Sequence, residues 1–147
     1  VANNNQANLF ISLHAGYSPD TLDSSSSVFI MKEDFGESFA PAPAARDTLF
    51  LPWYLGYRTN RQGSAQAAKI LQEELSKAIP GSQFPVRTAP LALLSSATMP
   101  SLLLEIGNLN NPVNAQTLND SEFQNRLVGT IVDALQRFSQ TQKPSAN

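Results

Sequence analysis

Two side chains in this sequence can do chemistry and lie where apolar residues are expected. His14, the only histidine, closes the stretch NLFISLHAG, and Glu105 lies inside the apolar run LLLEIG. A neutral imidazole binds metals or carries protons, and a carboxylate acts as a general base or acid. An ionised carboxylate in an apolar strand costs several kcal/mol unless it is paired, solvated or protonated. Sequences tolerate such exceptions mainly at functional sites.

The positions of these two residues make a shared site geometrically possible. In open α/β sheets, ligands bind outside the carboxyl ends of the strands, and both His14 and Glu105 fall at or near such ends. Each residue alone also has an ordinary structural interpretation. A histidine at a strand end can be a hydrogen-bonded structural residue, and a glutamate there can point into solvent.

The strands that would position these residues follow from the apolar pattern. We expect a buried strand at Leu9–Leu13, a second strand at Val28–Met31 and a third at Ser101–Ile106. The third is apolar almost throughout, which is typical of a parallel strand covered on both faces. Extended pieces are expected around Val86 and Leu91–Leu94.

Two amphipathic helices complete the expected fold. Ser64–Ile79 has apolar residues at spacings of three or four, with Ser64 as the expected N-cap. A second helix begins near Asp120 or Ser121, and its apolar stripe consists of Phe123, Leu127, Ile131, Leu135 and Phe138. Strands mixed with helices predict an α/β fold, with a mostly parallel sheet flanked by helices.

The composition excludes several classes of function. The chain of 147 residues suits one domain with a hydrophobic core, and 41% of its residues are hydrophobic. The formal net charge is −2 and lysines and arginines are not clustered, so neither nucleic acid nor an anionic membrane is expected as a partner. The absence of cysteine excludes disulfides, a thiolate nucleophile and sulfur-ligated zinc. No apolar run is long enough for a transmembrane segment.

Two longer segments carry a resemblance to a known family. ANNNQANLFISLHAG near the start, and MPSLLLEIGNLNNPVNAQTLNDSEFQNRLVGTIVDAL much later, resemble the second half of the zinc-dependent N-acetylmuramoyl-L-alanine amidases of the cell-wall hydrolase type. That family typically shows an AN…ADLFISIHAN segment, then P-x-x-L-x-E-x-G-F-L-S-N-P and a closing amphipathic helix. Two motifs in the right order are more specific than one short pattern.

The resemblance implies roles for the two candidate residues. His14 corresponds to a zinc-ligating histidine, and Glu105 to the catalytic glutamate near a single zinc ion. In the family, zinc polarises the amide carbonyl and lowers the pKa of its bound water, while the glutamate moves protons. The bond cut joins N-acetylmuramic acid to L-alanine of the stem peptide, so the implied partner is peptidoglycan. The implied location is the cell envelope, periplasmic or secreted.

The departures from the family pattern predict an incomplete domain. The family's other zinc ligands, a histidine in a Gly-His-Gly-type turn and a glutamate in its first helix, come before the matched region. We therefore expect residues 1–139 to be the C-terminal part of an amidase catalytic domain, with the missing N-terminal half as its partner. This chain alone is then expected to be inactive and to leave a sheet edge uncovered. An insertion is expected at about 32–61, and a flexible tail at 140–147.

Other polar and aromatic residues have weaker interpretations. Arg87, in VRTAP, is a candidate substrate-binding residue for a stem-peptide carboxylate, although a surface arginine is the more ordinary interpretation. Trp53, Tyr54 and Tyr57 could form a stacking platform or pack the insertion onto the domain. Asn108, where the family usually has Phe, would make the pocket wall more polar. Together with Asn110 and Asn111 it could equally form a turn.

Two other functions compete with the zinc amidase. One is a metal-free, amidase-like module that binds cell-wall peptide or a partner without catalysis. The other is an unrelated hydrolase that uses serine and histidine, but the chain lacks a G-x-S-x-G elbow and its one histidine has no obvious aspartate partner.

Overall fold

A computed structural model describes residues 2–35 and 53–142 of the chain. In order, the structure comprises a short 3₁₀ helix at Asn3–Asn5, β1 (Phe10–Gly16), β2 (Ser27–Met31), a second 3₁₀ helix at Trp53–Asn60, α1 (Arg61–Ala78), β3 (Val86–Ala89), α2 (Ala92–Ser95), β4 (Ser101–Asn108), α3 (Pro112–Leu118) and α4 (Ser121–Thr141). The α/β prediction is confirmed, and the two long helices and the three main strands lie where they were expected.

The four strands form one sheet in the order β1-β4-β2-β3. β1 runs parallel to β4 and β2 runs parallel to β3, while β2 and β4 are antiparallel. One end of the sheet therefore collects the carboxyl ends of β1 and β4 and the amino ends of β2 and β3. Groups at that end of the strands can face a common ligand.

One face of the sheet holds the main hydrophobic core. Alternate strand residues, among them Val28, Leu102 and Leu104, pack there against α1 and α4 and are fully buried. The core side of α4 includes Leu127 and Phe138, as the apolar stripe predicted. Burying each of these large apolar side chains contributes about 1.5–3 kcal/mol to the stability of the fold. This burial fixes the core face of each strand, so the residues between them point to the opposite face of the sheet.

A smaller cluster covers part of the opposite face. Tyr57, from the 3₁₀ helix before α1, packs there with Met31 and Leu94, and its hydroxyl donates to the Glu33 carbonyl at 2.8 Å. Tyr57 therefore packs the end of the expected insertion onto the domain and does not form a stacking platform. Residues 36–52 of that insertion, and the side chain of Trp53, lie outside the described residues.

The structure corrects two of the strand predictions. β1 is half-buried rather than buried, and Leu13 is 51% exposed, because β1 lies at the edge of the sheet and pairs only with β4 among the described strands. Leu91–Leu94 is not extended. Leu91 leads into the one-turn helix α2, whose turn buries Leu94 fully while Leu93 stays half-exposed.

The helix ends also refine the sequence interpretation. Ser64 lies inside α1 and is not its N-cap: its hydroxyl donates to the Asn60 carbonyl and accepts from the Ser101 backbone N–H at 2.9 Å. At α4 the prediction is confirmed, because the Asp120 side chain accepts from the Phe123 N–H at 2.8 Å. α4 continues to Thr141, two residues into the segment expected to be a tail, and residues 143–147 lie outside the described part.

Candidate functional site

His14 and Glu105 lie side by side on the sheet face opposite the main core. They are direct partners in the parallel register of β1 and β4. Because register partners point to the same face of a sheet, the imidazole and the carboxylate project together. The backbone geometry therefore brings the two candidate residues together. Leu102 and Leu104 occupy the core face of β4, so alternation sends Glu105 to the other side.

The two side chains line a cavity of about 400 Å³ near the carboxyl ends of β1 and β4. Its other walls are apolar and come from Phe29, Leu103 and the segment Pro90–Leu93. Glu105 is half-buried and His14 is exposed. Glu105, the one carboxylate in an otherwise apolar strand, thus faces a partly solvated cavity and not the core. This position removes most of the free-energy cost of desolvating the carboxylate.

Gly16 makes room for the Glu105 side chain. A Cβ atom added at Gly16 would overlap the Oε1 atom of Glu105 and lie 2.9 Å from its carboxyl carbon. The β1–β4 register also shifts between His14 and Gly16, so that Gly16 pairs with Asn108. Sequence reasoning missed this role. The only signal was a glycine two residues after the histidine.

Asn108 joins the end of β4 to the loop that follows β1. It is 3% exposed. Its Oδ1 accepts from the N–H groups of Ser18 and Asn110, and its Nδ2 donates to the carbonyls of Asp20 and Asp23, all at 2.9–3.0 Å. The side chain thus uses its whole hydrogen-bonding capacity. Three of its four partners lie about 90 residues earlier in the sequence. The interpretation of Asn108 as a turn residue is too narrow.

Arg87 lies on the same sheet face but lines a different cavity. It is the register partner of Phe29 on β2, and its cavity of about 370 Å³ is lined mainly by polar residues of the loops before β2 and β3. Nearby, the backbone and side chain of Ser25 donate to Asp23 and lower the pKa of that carboxyl, with a smaller contribution from the charge of Arg87. The structure therefore brings His14 and Glu105 together and places Arg87 beside them rather than among them.

The described residues do not by themselves form a complete zinc site. A catalytic zinc normally has three protein ligands and an open position. Within residues 2–35 and 53–142, no group of three or more His, Cys, Asp or Glu side chains is arranged to hold a metal. His14 and Glu105 supply one imidazole and one carboxylate, which have the right chemistry for zinc but are too few.

Asn108→Ala is expected to destabilise the fold. The change removes the four side-chain hydrogen bonds and leaves partly buried loop groups unpaired, so we expect a loss of about 2–4 kcal/mol in the free energy of unfolding. Urea denaturation followed by circular dichroism measures this loss. Asn125→Ala, on the exposed face of α4, is the matched control and should change the same quantity by less than about 0.5 kcal/mol. Equal stability of the two variants would contradict the role of Asn108.

Residues 1–137 match the family Amidase_3, described as N-acetylmuramoyl-L-alanine amidase. A curated protein of Buchnera aphidicola subsp. Baizongia pistaciae, named as a candidate N-acetylmuramoyl-L-alanine amidase, is 26% identical over 144 residues. That match covers 94% of this chain and 66% of the relative.

Solved structures show the same fold. The catalytic domain of CwlV, an N-acetylmuramoyl-L-alanine amidase from Bacillus (Paenibacillus) polymyxa var. colistinus, superposes with a TM-score of 0.70 at 22% identity, covering 95% of this chain and 62% of that one. The N-acetylmuramoyl-L-alanine amidase from Clostridium difficile 630 gives 0.72 at 17% identity, covering 97% and 63%. The chain thus spans less than two thirds of the length of these relatives. Because the family match extends over nearly the whole chain, this protein belongs to the N-acetylmuramoyl-L-alanine amidase family Amidase_3.

Proposed function

We propose that this chain contributes His14 and Glu105 to the catalytic centre of a peptidoglycan amidase. The reaction would hydrolyse the amide between the lactyl group of N-acetylmuramic acid and L-alanine of the stem peptide. The observation that carries the proposal is the in-register pairing of the only histidine with a glutamate, inside a cavity on the face away from the core. Membership of the amidase family supports the choice of bond.

Glu105 is assigned the proton transfers of this hydrolysis. Its carboxylate would take a proton from water as the water oxygen attacks the amide carbonyl carbon. The same proton then passes to the amide nitrogen as the carbon–nitrogen bond breaks, which releases the L-alanine amine and restores the carboxylate. The carboxylate lines the same cavity as Phe29 and Leu103, so an amide held in that cavity would lie beside it.

His14 is assigned to one zinc ion as a protein ligand. The exposed imidazole stands next to Glu105, where a metal bound to it would be close to the acid–base group. The relatives are longer by more than a third, and we propose that the further ligands come from that additional length.

The substrate class sets the proposed location. Peptidoglycan lies outside the cytoplasm, so we place the working protein in the cell envelope, either periplasmic or secreted. Within the described residues, no helix is long and apolar enough to cross a membrane.

The incomplete set of zinc ligands among the described residues also supports a second function, which is binding without catalysis. A metal-free amidase-like module would use the same cavity to hold cell-wall peptide. The two functions differ in what Glu105 and zinc do, and the following experiments separate them.

Glu105→Gln in the natural protein is expected to abolish release of stem peptide from peptidoglycan. Glutamine preserves the size of the side chain but cannot accept the proton from water, so the rate should fall by about 10²–10⁴-fold. Chromatography of peptides released from purified cell walls measures the rate. Thermal unfolding of the variant serves as the folding control. Wild-type turnover by the variant would remove Glu105 from its assigned role.

The 147-residue chain, purified alone, is expected to hold zinc weakly or not at all. His14 supplies one of the three protein ligands that a catalytic zinc takes, and even the neighbouring Glu105 carboxylate would raise that number only to two. Elemental analysis after dialysis should therefore give far less than one zinc per chain. One tightly held zinc per chain would show that the chain contains a complete ligand set.

Gly16→Ala in the natural protein is expected to reduce hydrolysis more than stability. The new methyl group would occupy the position of the Glu105 carboxylate, which must rotate away. Because a displacement of about 1 Å at a reacting group can cost about a hundredfold in rate, kcat/KM should fall by one to two orders of magnitude. The free energy of unfolding should change by only about 1 kcal/mol, since a flexible side chain can move.

The matched control for this change is Gly129→Ala in α4. A Cβ atom at Gly129 meets nothing within 4 Å, and alanine favours a helix by about 0.5–1 kcal/mol over glycine. This variant should be as active as the wild type. If Gly16→Ala were equally active, the close approach of Gly16 to Glu105 would not be required for the reaction.

A further inference from the structure

We propose that the cavity around Arg87 is a subsite for a carboxylate of the substrate, about three or four residues from the amide that is cut. The proposal rests on the proposed function, because it takes the scissile amide to lie at Glu105. The ligand class is an extended peptide with a free carboxylate, and Arg87 is its specificity-determining residue.

The lining of this cavity suits an anion. Besides Arg87, its polar lining includes Ser24, Ser26, Ser82 and Gln83, and no acidic residue of the described ranges lines it. Hydroxyl and amide groups can donate to a carboxylate, and a guanidinium can bind one with two parallel hydrogen bonds. The cavity thus offers one fixed positive charge surrounded by neutral donors.

Within the described residues, the charge of Arg87 acts on Asp23, and there it is the smallest of the causes that lower the pKa. In residues 2–35 and 53–142, Arg87 makes no ion pair within 4 Å and no side-chain hydrogen bond. Asp23 is close enough for Arg87 to contribute to its lowered pKa, but hydrogen bonds from Ser25 lower that pKa more. The Asp23 Oδ1 atom accepts from the Ser25 N–H at 2.9 Å. Asp23 therefore has its own partner, and the guanidinium can take an incoming anion.

The sheet register puts this cavity at a useful distance from Glu105. Arg87 on β3 pairs with Phe29 on β2, and Phe29 pairs with Leu103 on β4. Phe29 and Leu103 are also walls of the cavity that holds Glu105. Two strand spacings, roughly 10 Å, separate β4 from β3, and Glu105 lies two residues, roughly 7 Å, further along β4 than Leu103. The diagonal from Glu105 to Arg87 is therefore roughly 12 Å, which an extended peptide covers in about three or four residues at roughly 3.3 Å each. A peptide cut at Glu105 can thus lay its third or fourth residue at Arg87.

The wall of the Arg87 cavity is held in place by the same loop that Asn108 fixes. Asn108 Nδ2 donates to the Asp20 and Asp23 carbonyls, immediately before the serines at 24–26. Asn114, which accepts from the Asn108 backbone N–H at 3.0 Å, lines the cavity as well. The two cavities are therefore built on a common frame at the end of β4, which keeps their separation constant.

The test compares two cell-wall fragments in the natural protein. One carries free stem-peptide carboxylates, and in the other these groups are carboxamides. The wild type should prefer the carboxylate fragment by about tenfold or more in kcat/KM, the range of a charge-assisted hydrogen bond. Arg87→Gln should bring the ratio close to one by raising KM for the carboxylate fragment. Arg87→Lys should retain part of the preference, because lysine keeps the charge without the bidentate geometry.

Arg126→Gln is the matched control, an exposed arginine on α4 that pairs with Glu122. It should keep the wild-type preference. Thermal unfolding checks that each variant folds. An unchanged preference in Arg87→Gln, or an equal loss for both fragments, would overturn the subsite.

A binding measurement separates this proposal from the proposed hydrolysis. Calorimetry with the Glu105→Gln protein measures the affinity for each fragment without turnover. The Glu105→Gln protein should bind the carboxylate fragment more tightly, and adding Arg87→Gln should remove that preference. This result supports the subsite even if the wild type hydrolyses neither fragment. Equal affinities of the Glu105→Gln protein for the two fragments would overturn it.

Discussion

The parallel pairing of β1 with β4 is the constraint on which the rest of the site depends. Alternation along β4 sends Leu102 and Leu104 into the core against α1 and α4, and Leu103 and Glu105 to the opposite face. A slip of one residue would exchange the two sets and bury the carboxylate in the core. The free energy of burying the two leucines therefore also fixes the direction of Glu105. The register with β1 then brings His14 beside it.

The end of β4 connects this ladder to the surrounding loops. Gly107 has φ of +147°, a conformation that other residues rarely adopt, and a Cβ atom there would lie 2.8 Å from the Asn114 Oδ1 atom. With Gly107 in this conformation, the Asn108 side chain points into the loop after β1, while the Asn108 backbone N–H donates to Asn114. Hydrogen bonds that replace water around a buried amide are costly to leave unmade, so this loop is tied to the strand that carries Glu105.

The sequence predicted those features that depend on local patterns. The apolar stripe and Asp120 located α4, and the apolar run located β4, because periodicity and capping are short-range properties. The roles of Ser64 and Asn108 depend on partners 37 and about 90 residues away, which no local pattern reveals. The burial of β1 was overestimated for the same reason, since an apolar segment does not show whether its strand lies at the centre or the edge of a sheet.

The proximity of His14 and Glu105 follows from the sequence more directly than the loops around them, because these two residues break the pattern that places everything else. Glu105 in an apolar strand had to lie on the face away from the core, and the sheet topology made that face open. The two residues are nevertheless held unequally. β4 has a hydrogen-bonded strand on either side, while β1 has only β4 within the described residues. Strands on both sides of β4 thus hold Glu105 in position. The position of His14 depends only on the pairing of β1 with β4. Any further ligand or strand that approaches from the outer side of β1 meets His14 before Glu105.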